Sequence, residues 1–251
     1  MPKGADYVGL LYKIVRFILN ALHKPLTLRC AHSLPVCAAF IVHHQNLRGP
    51  VQVMRTLPVP PRPWVLHVFF TPKECYRQYA DYTFSKRLHW PKALACAVSA
   101  PLSLFVCALV KSCRAIPVHR SLTHLKDTFH RSLDVLMRGE SILIAPDVDY
   151  ANESPLIGEM YEGFLQLDPM FRKRTGRPLP FIPLYCSPRR GELVAGAPVF
   201  FREGVPFSEE RLRVARELAD AINAMALACG DLEAPVAHGA QKDAVRQSQK
   251  S

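Results

Sequence analysis

Apolar residues recur at helical spacing between Leu11 and Leu22: Leu11, Ile14, Val15, Ile18 and Leu22 fall on one side, with Lys13, Arg16 and Asn20 opposite. The stripe predicts an amphipathic N-terminal helix. Pattern alone serves equally for a helix lying in a membrane interface and for one docked on the protein's own core. Beyond it, short apolar runs at 36–42, 64–70, 115–119, 141–145, 181–185 and 193–200 read as strands separated by helical segments. That alternation predicts an α/β fold, a mostly parallel sheet covered by helices. One covering helix carries Leu122, Leu125, Phe129, Leu133 and Leu136 inward and stops at Gly139. A second, over about 208–228, turns Leu212, Ala215, Leu218, Ile222 and Met225 to the core. The run 93–110 is apolar except for two serines and contains Pro101, which puts it at the lower limit for a bilayer span. It reads better as a buried or half-submerged helix of the domain. The Pro-rich stretch 57–63 is an extended connector.

Length and charge add a working surface to this frame. A chain of 251 residues, 49% hydrophobic, suffices for one core. We divide it into a membrane-contact helix at 1–24, an α/β domain at 25–229 and a polar, disordered tail at 230–251. The formal net charge of +11 calls for an anionic partner. From Tyr7 to Lys73 there is no Asp or Glu, while Lys13, Arg16, Lys24, Arg29, Arg48, Arg55, Arg62 and Lys73 are basic. That acid-free segment selects an anionic phospholipid surface for the first helix. Cys30, Cys37, Cys75, Cys96, Cys107, Cys113, Cys186 and Cys229 are scattered with no C-x-x-C pair, so they read as reduced core thiols without a metal. Lys13 and Arg16 interrupt the only early apolar stretch, which argues against a cleaved secretory signal.

Chemistry concentrates where predicted strands end. The first strand runs into His43-His44-Gln45-Asn46-Leu47-Arg48-Gly49-Pro50, and a polar turn at the carboxyl end of a parallel strand is where open α/β sheets place their sites. Three more strand ends follow: Arg114-Ala-Ile-Pro-Val-His119-Arg120, Ile144-Ala-Pro-Asp147 and Phe181-Ile-Pro183-Leu-Tyr185. In order and spacing these blocks resemble the phospholipid/glycerol acyltransferase family, whose members include glycerol-3-phosphate and lysophosphatidate acyltransferases. IVHHQNLRGP stands in place of that family's N-H-x4-D block, AIPVHR for its apolar run ending in Arg, IAPD for F-P-E-G, and FIPLY for an apolar strand with a central Pro.

The resemblance implies a glycerol-3-phosphate acyltransferase-like fold, with acyl-CoA or acyl carrier protein as donor and no cofactor. His44 would be the general base that takes the proton of the acceptor hydroxyl. Asp147 would stand for the third-block Glu and Arg120 would hold the acceptor's phosphate. Arg114, Asn46, Gly49 and Pro183 would line the substrate, with Pro183 shaping the floor of the acyl site. One position departs: the family's Asp, five residues after the His, is Gly49 here. Two accounts remain open. A distant acid such as Asp147 or Asp149, or a backbone carbonyl, orients His44, with Gly49-Pro50 opening the next helix; or turnover is lost and a lipid-binding module of the same fold survives. From the residues alone, His43 fixes the turn, Gln45 and Asn46 serve equally as a helix cap, and Asp147 serves equally as a cap of the loop that follows it. Nucleic acid is set aside, because the basic residues carry no recognition motif or aromatic ladder. The expected location is peripheral, on the cytoplasmic face of a membrane.

Overall fold

Strand β2 (Ala39–Val42) is buried along its whole length, as is β6 (Phe181–Ser187), and strands apolar on both faces belong in the middle of a sheet. They pair in parallel, Ala39 opposite Phe181 and Val42 opposite Leu184. The computed structural model describes residues 8–119 and 122–232. Around this pair stand β1 (Thr27–Cys30), β3 (Arg62–Leu66), β4 (Ile116–Val118), β5 (Ile142–Ile144) and β7 (Glu192–Ala195). The seven strands lie in the order β1-β7-β6-β2-β5-β3-β4. All neighbours are parallel except β6 and β7, so the carboxyl ends of β2 to β6 share one edge. The chain is thus α/β with a mostly parallel sheet.

Alternation along β2 divides the core. Ala39 and Ile41 face α5 (Leu122–Met137), α6 (Leu167–Thr175) and α7 (Phe207–Cys229), where Phe129, Leu133, Phe171, Leu218 and Ile222 are buried. Phe40 and Val42 face α1 (Leu10–Leu22) and α2 (Arg48–Thr56), against Tyr12, Val53 and Met54. Gly139 and Gly230, at φ +77° and +76°, follow the last turns of α5 and α7. Leu212, expected inside α7, is exposed, and Met225 is only partly buried. Glu210 takes the inner position instead, gripped by the Arg202 and Arg213 guanidinium groups at 2.6 and 2.7 Å, which hold its carboxyl far below the usual carboxylate range. The expected tail lies outside the described residues from 233 onward.

Two helices are packed the other way round. In α1 the buried and half-buried side carries Tyr12, Arg16 and Asn20. Tyr12 Oη donates to Met54 O at 2.6 Å, and the Arg16 guanidinium donates to Arg55 O and Leu57 O at 3.1 and 2.9 Å. Arg55 reaches back to Leu19 O, His23 O and Asn20 Oδ1. Arg16 and Asn20 of the polar side therefore clamp α2 while Lys13 stays exposed, and Leu10, Ile14, Phe17, Ile18 and Leu22 point outward, Phe17 74% exposed. Helix α4 (Lys92–Ser112) repeats the inversion. Its buried stripe is Ala95, Ser99, Ser103 and Cys107, while Leu94, Leu104 and Phe105 are exposed. The two are joined where Gly9 N–H donates to Ser112 O at 2.8 Å and Ser112 Oγ accepts from Tyr12 N–H at 2.9 Å, capping α1 from outside. A Cβ at Gly9 would come within 2.6 Å of Ser112 Oγ, so the junction needs glycine.

Between β3 and α4 the chain forms a short turn of 3-10 helix (His67–Phe70), α3 (Pro72–Arg77) and a π-helix (Gln78–Arg87). Phe69, Tyr79, Phe84 and Trp90 stack in sequence through this segment, with centroids 5.8, 5.8 and 4.6 Å apart.

Candidate active site at the carboxyl edge

The chain leaves β2 through a turn that few sequences adopt. Gln45, Asn46 and Leu47 have φ of +45°, +49° and +78°, three successive non-glycine residues in the left-handed region. Each left-handed residue costs roughly 1–2 kcal/mol, less for Asn, so surrounding contacts must hold the turn. They come from the turn itself and from the loop after β5. Leu47 N–H donates to His44 Nδ1 at 2.9 Å, Arg48 N–H to Gln45 O at 3.1 Å, and Gly49 N–H to His44 O at 3.1 Å. From the loop, Tyr150 O accepts Asn46 N–H at 3.2 Å and Glu153 Oε1 accepts the Asn46 side-chain amide at 2.7 Å.

Asp147 is the centre of this clamp. Almost fully buried, it meets the His43 Nδ1 with one oxygen and accepts His44 N–H with the other at 2.9 Å. His43 Nε2 lies 2.9 Å from Ser154 O, which can only accept, so His43 carries a proton there. Both ring nitrogens of His43 are occupied, and the ring is 1% exposed. The loop holds its own shape through short polar turns: Asp149 Oδ1 accepts Ala151 N–H, Asn152 Oδ1 accepts Ser154 N–H, and Ser154 Oγ accepts Leu156 N–H.

His44 stands beside the pair, half-buried, its ring edge-on to Tyr150 at 6.0 Å. Burial pushes its imidazole below the usual 6.5; the Asp147 carboxylate and a bond to the Tyr150 backbone pull the other way, and His43 adds to the depression. The ring is therefore neutral at pH 7. With Nδ1 accepting from Leu47, its proton sits on Nε2. Action as a base through Nε2 requires the other tautomer and the loss of both backbone bonds, to Leu47 N–H and to Tyr150, each worth about 1 kcal/mol net, with a further desolvation cost for the unpaired Leu47 N–H.

No family model, curated protein or solved structure matches the chain.

The clamp joins the first and third sequence blocks, since His44 and Asp147 meet at the ends of adjacent β2 and β5. Asp147 reaches the backbone of His44 and the ring of His43; the ring of His44 is oriented by backbone groups. Gly49 is packed inside the turn: a Cβ there would stand 1.9 Å from His43 O, so no carboxylate fits at this position on this backbone. It closes α2 against the turn, and its buried position offers no surface to a substrate. Asn46 spends its amide on Glu153. Arg114, with φ +54°, precedes β4 and lies at the amino edge of the sheet, across from His44, which corrects its placement with the substrate. Pro183 pairs with Ile41 inside the sheet, short of the edge, with Gly196 against its ring; it shapes the sheet interior and not the floor of an edge site. Arg120 lies outside the described residues; His119, just before it, stacks on His67 at 4.6 Å at the ends of β4 and β3. Tyr150 and Ser154, both central to the clamp, carry no motif that would single them out in sequence.

Proposed function

We propose that this protein transfers an acyl group from a thioester, acyl-CoA or acyl carrier protein, to the hydroxyl of a glycerol phosphate or lysophospholipid at a membrane surface, in the manner of the phospholipid/glycerol acyltransferases. The observation that carries the reading is the strained left-handed turn, clamped by the Asp147 loop, that presents a neutral His44 at the carboxyl edge of the sheet. Strain held in place by this many bonds is characteristic of functional sites. In the reaction His44 takes the proton as the hydroxyl oxygen attacks the thioester carbonyl, and the thiol departs with a proton. Asp147 and His43 act as positioning residues. The outward apolar faces of α1 and α4 support residence in one leaflet of the cytoplasmic membrane face, with exposed basic residues of the first third such as Lys13, Lys24 and Arg48 toward anionic headgroups. Release of thiol from acyl-CoA in the presence of lysophosphatidate tests the reaction. His44→Ala is expected to lose two or more orders of magnitude in turnover while remaining folded, its stability lowered by about 1–3 kcal/mol through the orphaned Leu47 N–H. Thiol release that is absent in the parent, or unaltered in the variant, would overturn it.

A second reading, a lipid-binding module without turnover, is favoured by one fact: the His44 Nδ1 lone pair is already occupied by Leu47 N–H. It predicts no thiol release and equal lysophospholipid binding by parent and His44→Ala.

A further inference from the structure

The π-helix is tied to the His44 turn by three side chains that no sequence block includes. Tyr150, the ring edge-on to His44, is covered by Arg87 from the last turn of the π-helix, its guanidinium carbon 5.9 Å from the ring centroid. Tyr82, one turn earlier, brings its hydroxyl within 3.4 Å of that of Tyr150. A π-helix of ten residues is rare, and π-helical turns gather at functional sites. This one is stabilised internally by Ser85 Oγ donating to Ala80 O at 2.6 Å and Thr83 Oγ to Gln78 O at 3.1 Å. It is anchored from behind by the Phe69-Tyr79-Phe84-Trp90 stack.

Arg87 is exposed and makes no ion pair among the described residues. The acids of the neighbouring loop are otherwise engaged: Asp147 by the two histidines, Asp149 by Ala151 N–H and Glu153 by Asn46. The guanidinium is thus exposed, with its carbon 5.9 Å from the centroid of the ring that stands edge-on to His44. Cation–π contact fixes the plane of such a group without using its hydrogen-bond donors, which leaves the fork for a planar or tetrahedral oxyanion.

We propose that the π-helix Gln78–Arg87 roofs the acceptor site and that Arg87 holds the acceptor's phosphate monoester beside His44. This assignment rests on the acyl-transfer reading and names the residue that selects phosphorylated acceptors.

The test compares lysophosphatidate with its unphosphorylated counterpart, monoacylglycerol, using one acyl-CoA donor and the full chain. Arg87→Ala is expected to lower the ratio of kcat/KM for the phosphorylated over the unphosphorylated acceptor by about tenfold or more, about 1.4 kcal/mol, chiefly through KM. Arg87→Lys should restore part of that ratio, since an ammonium keeps the charge but not the fork. An unchanged ratio would overturn the proposal, and where both acceptors lose activity equally it would reduce Arg87 to a packing role. If the parent releases no thiol with either acceptor, the acyl-transfer reading fails separately. Titration of each lipid in detergent, followed by Trp90 emission in the roof, then decides: tighter lysophosphatidate binding lost in Arg87→Ala supports the phosphate site, and its retention overturns it.

Discussion

The His44 turn and the α1–α4 pair are opposite solutions to placing awkward residues. At the turn, three left-handed residues, a buried carboxylate and a buried histidine are held by bonds that leave almost no group unpaired. At the helix pair Tyr12, Arg16 and Ser112 spend their polar groups on the inside, Ser99 Oγ is buried without a partner among the described residues, and large apolar side chains are left in the open. In water the second arrangement leaves unrealised roughly 1.5–3 kcal/mol for each large side chain that could have been buried. The turn is complete in itself, whereas the helix pair leaves large apolar area uncovered. Brittleness should therefore belong to the turn and tolerance to the helices.

The largest effect expected from that contrast is at Gly49. Gly49→Asp would set a side chain onto the His43 carbonyl, where even a Cβ stands 1.9 Å away, so α2 must leave the turn. Destabilisation above about 4 kcal/mol in urea unfolding is expected. A variant that folds normally would mean that the turn is not the rigid unit described. Next is Asp147→Ala, which leaves His43 buried without its carboxylate and His44 N–H without an acceptor. Breaking a buried pair from one side costs about 3–5 kcal/mol, and the same unfolding measurement should place this variant close behind Gly49→Asp.

A smaller effect concerns pH. His44 is held below its ordinary 6.5 when folded, so the unfolded chain binds the extra proton first. Stability is full above about 6.5, falls as pH drops from there toward the lowered folded value, and levels off beneath it. His44→Gln should flatten that part of the stability curve relative to the parent. An unchanged slope would place the depression elsewhere.

How far sequence carried the argument differs between the two regions for a physical reason. Period-2 and period-3.6 patterns reveal an element, so β2, β5, β6, α5 and α7 were legible, although β3 starts earlier at Arg62 and β7 ends at Ala195. Strand β1, four residues at the sheet's margin with an alternating half-buried pattern, was too short to register. Periodicity gives an amphipathic helix two faces but not the one that meets the protein. The inward roles of Arg16 and Asn20 were hidden because their partners, the Arg55 and Leu57 carbonyls for Arg16 and the Arg55 guanidinium for Asn20, lie dozens of positions away in α2 and its connector. The His43-His44 turn and Asp147 were visible as polar strand ends. Their partition was not, because which histidine takes the carboxylate is decided by backbone dihedrals at residues 45–47 that no residue type there announces. Likewise nothing local joins Arg87 to Tyr150.

The smallest expected effect on stability is the one that most sharpens the contrast. Phe17→Ser and Leu104→Ser alter side chains that are 74% and 61% exposed, touching little of the protein. Surface changes of this kind fall within about ±0.5 kcal/mol of the parent, and unfolding in water should register no more. On anionic vesicles the proposed membrane contact predicts that the same pair of substitutions releases most of the protein into the supernatant, because each removes exposed apolar area available to a bilayer. Raised salt should weaken the remaining binding, since the basic residues of the first third act through screened attraction. Val15→Ser on the half-buried side of α1 serves as the control, losing stability more than vesicle binding. If Phe17→Ser and Leu104→Ser sediment with vesicles as the parent does, the outward faces of α1 and α4 are not the lipid contact, and the inverted packing needs another occupant.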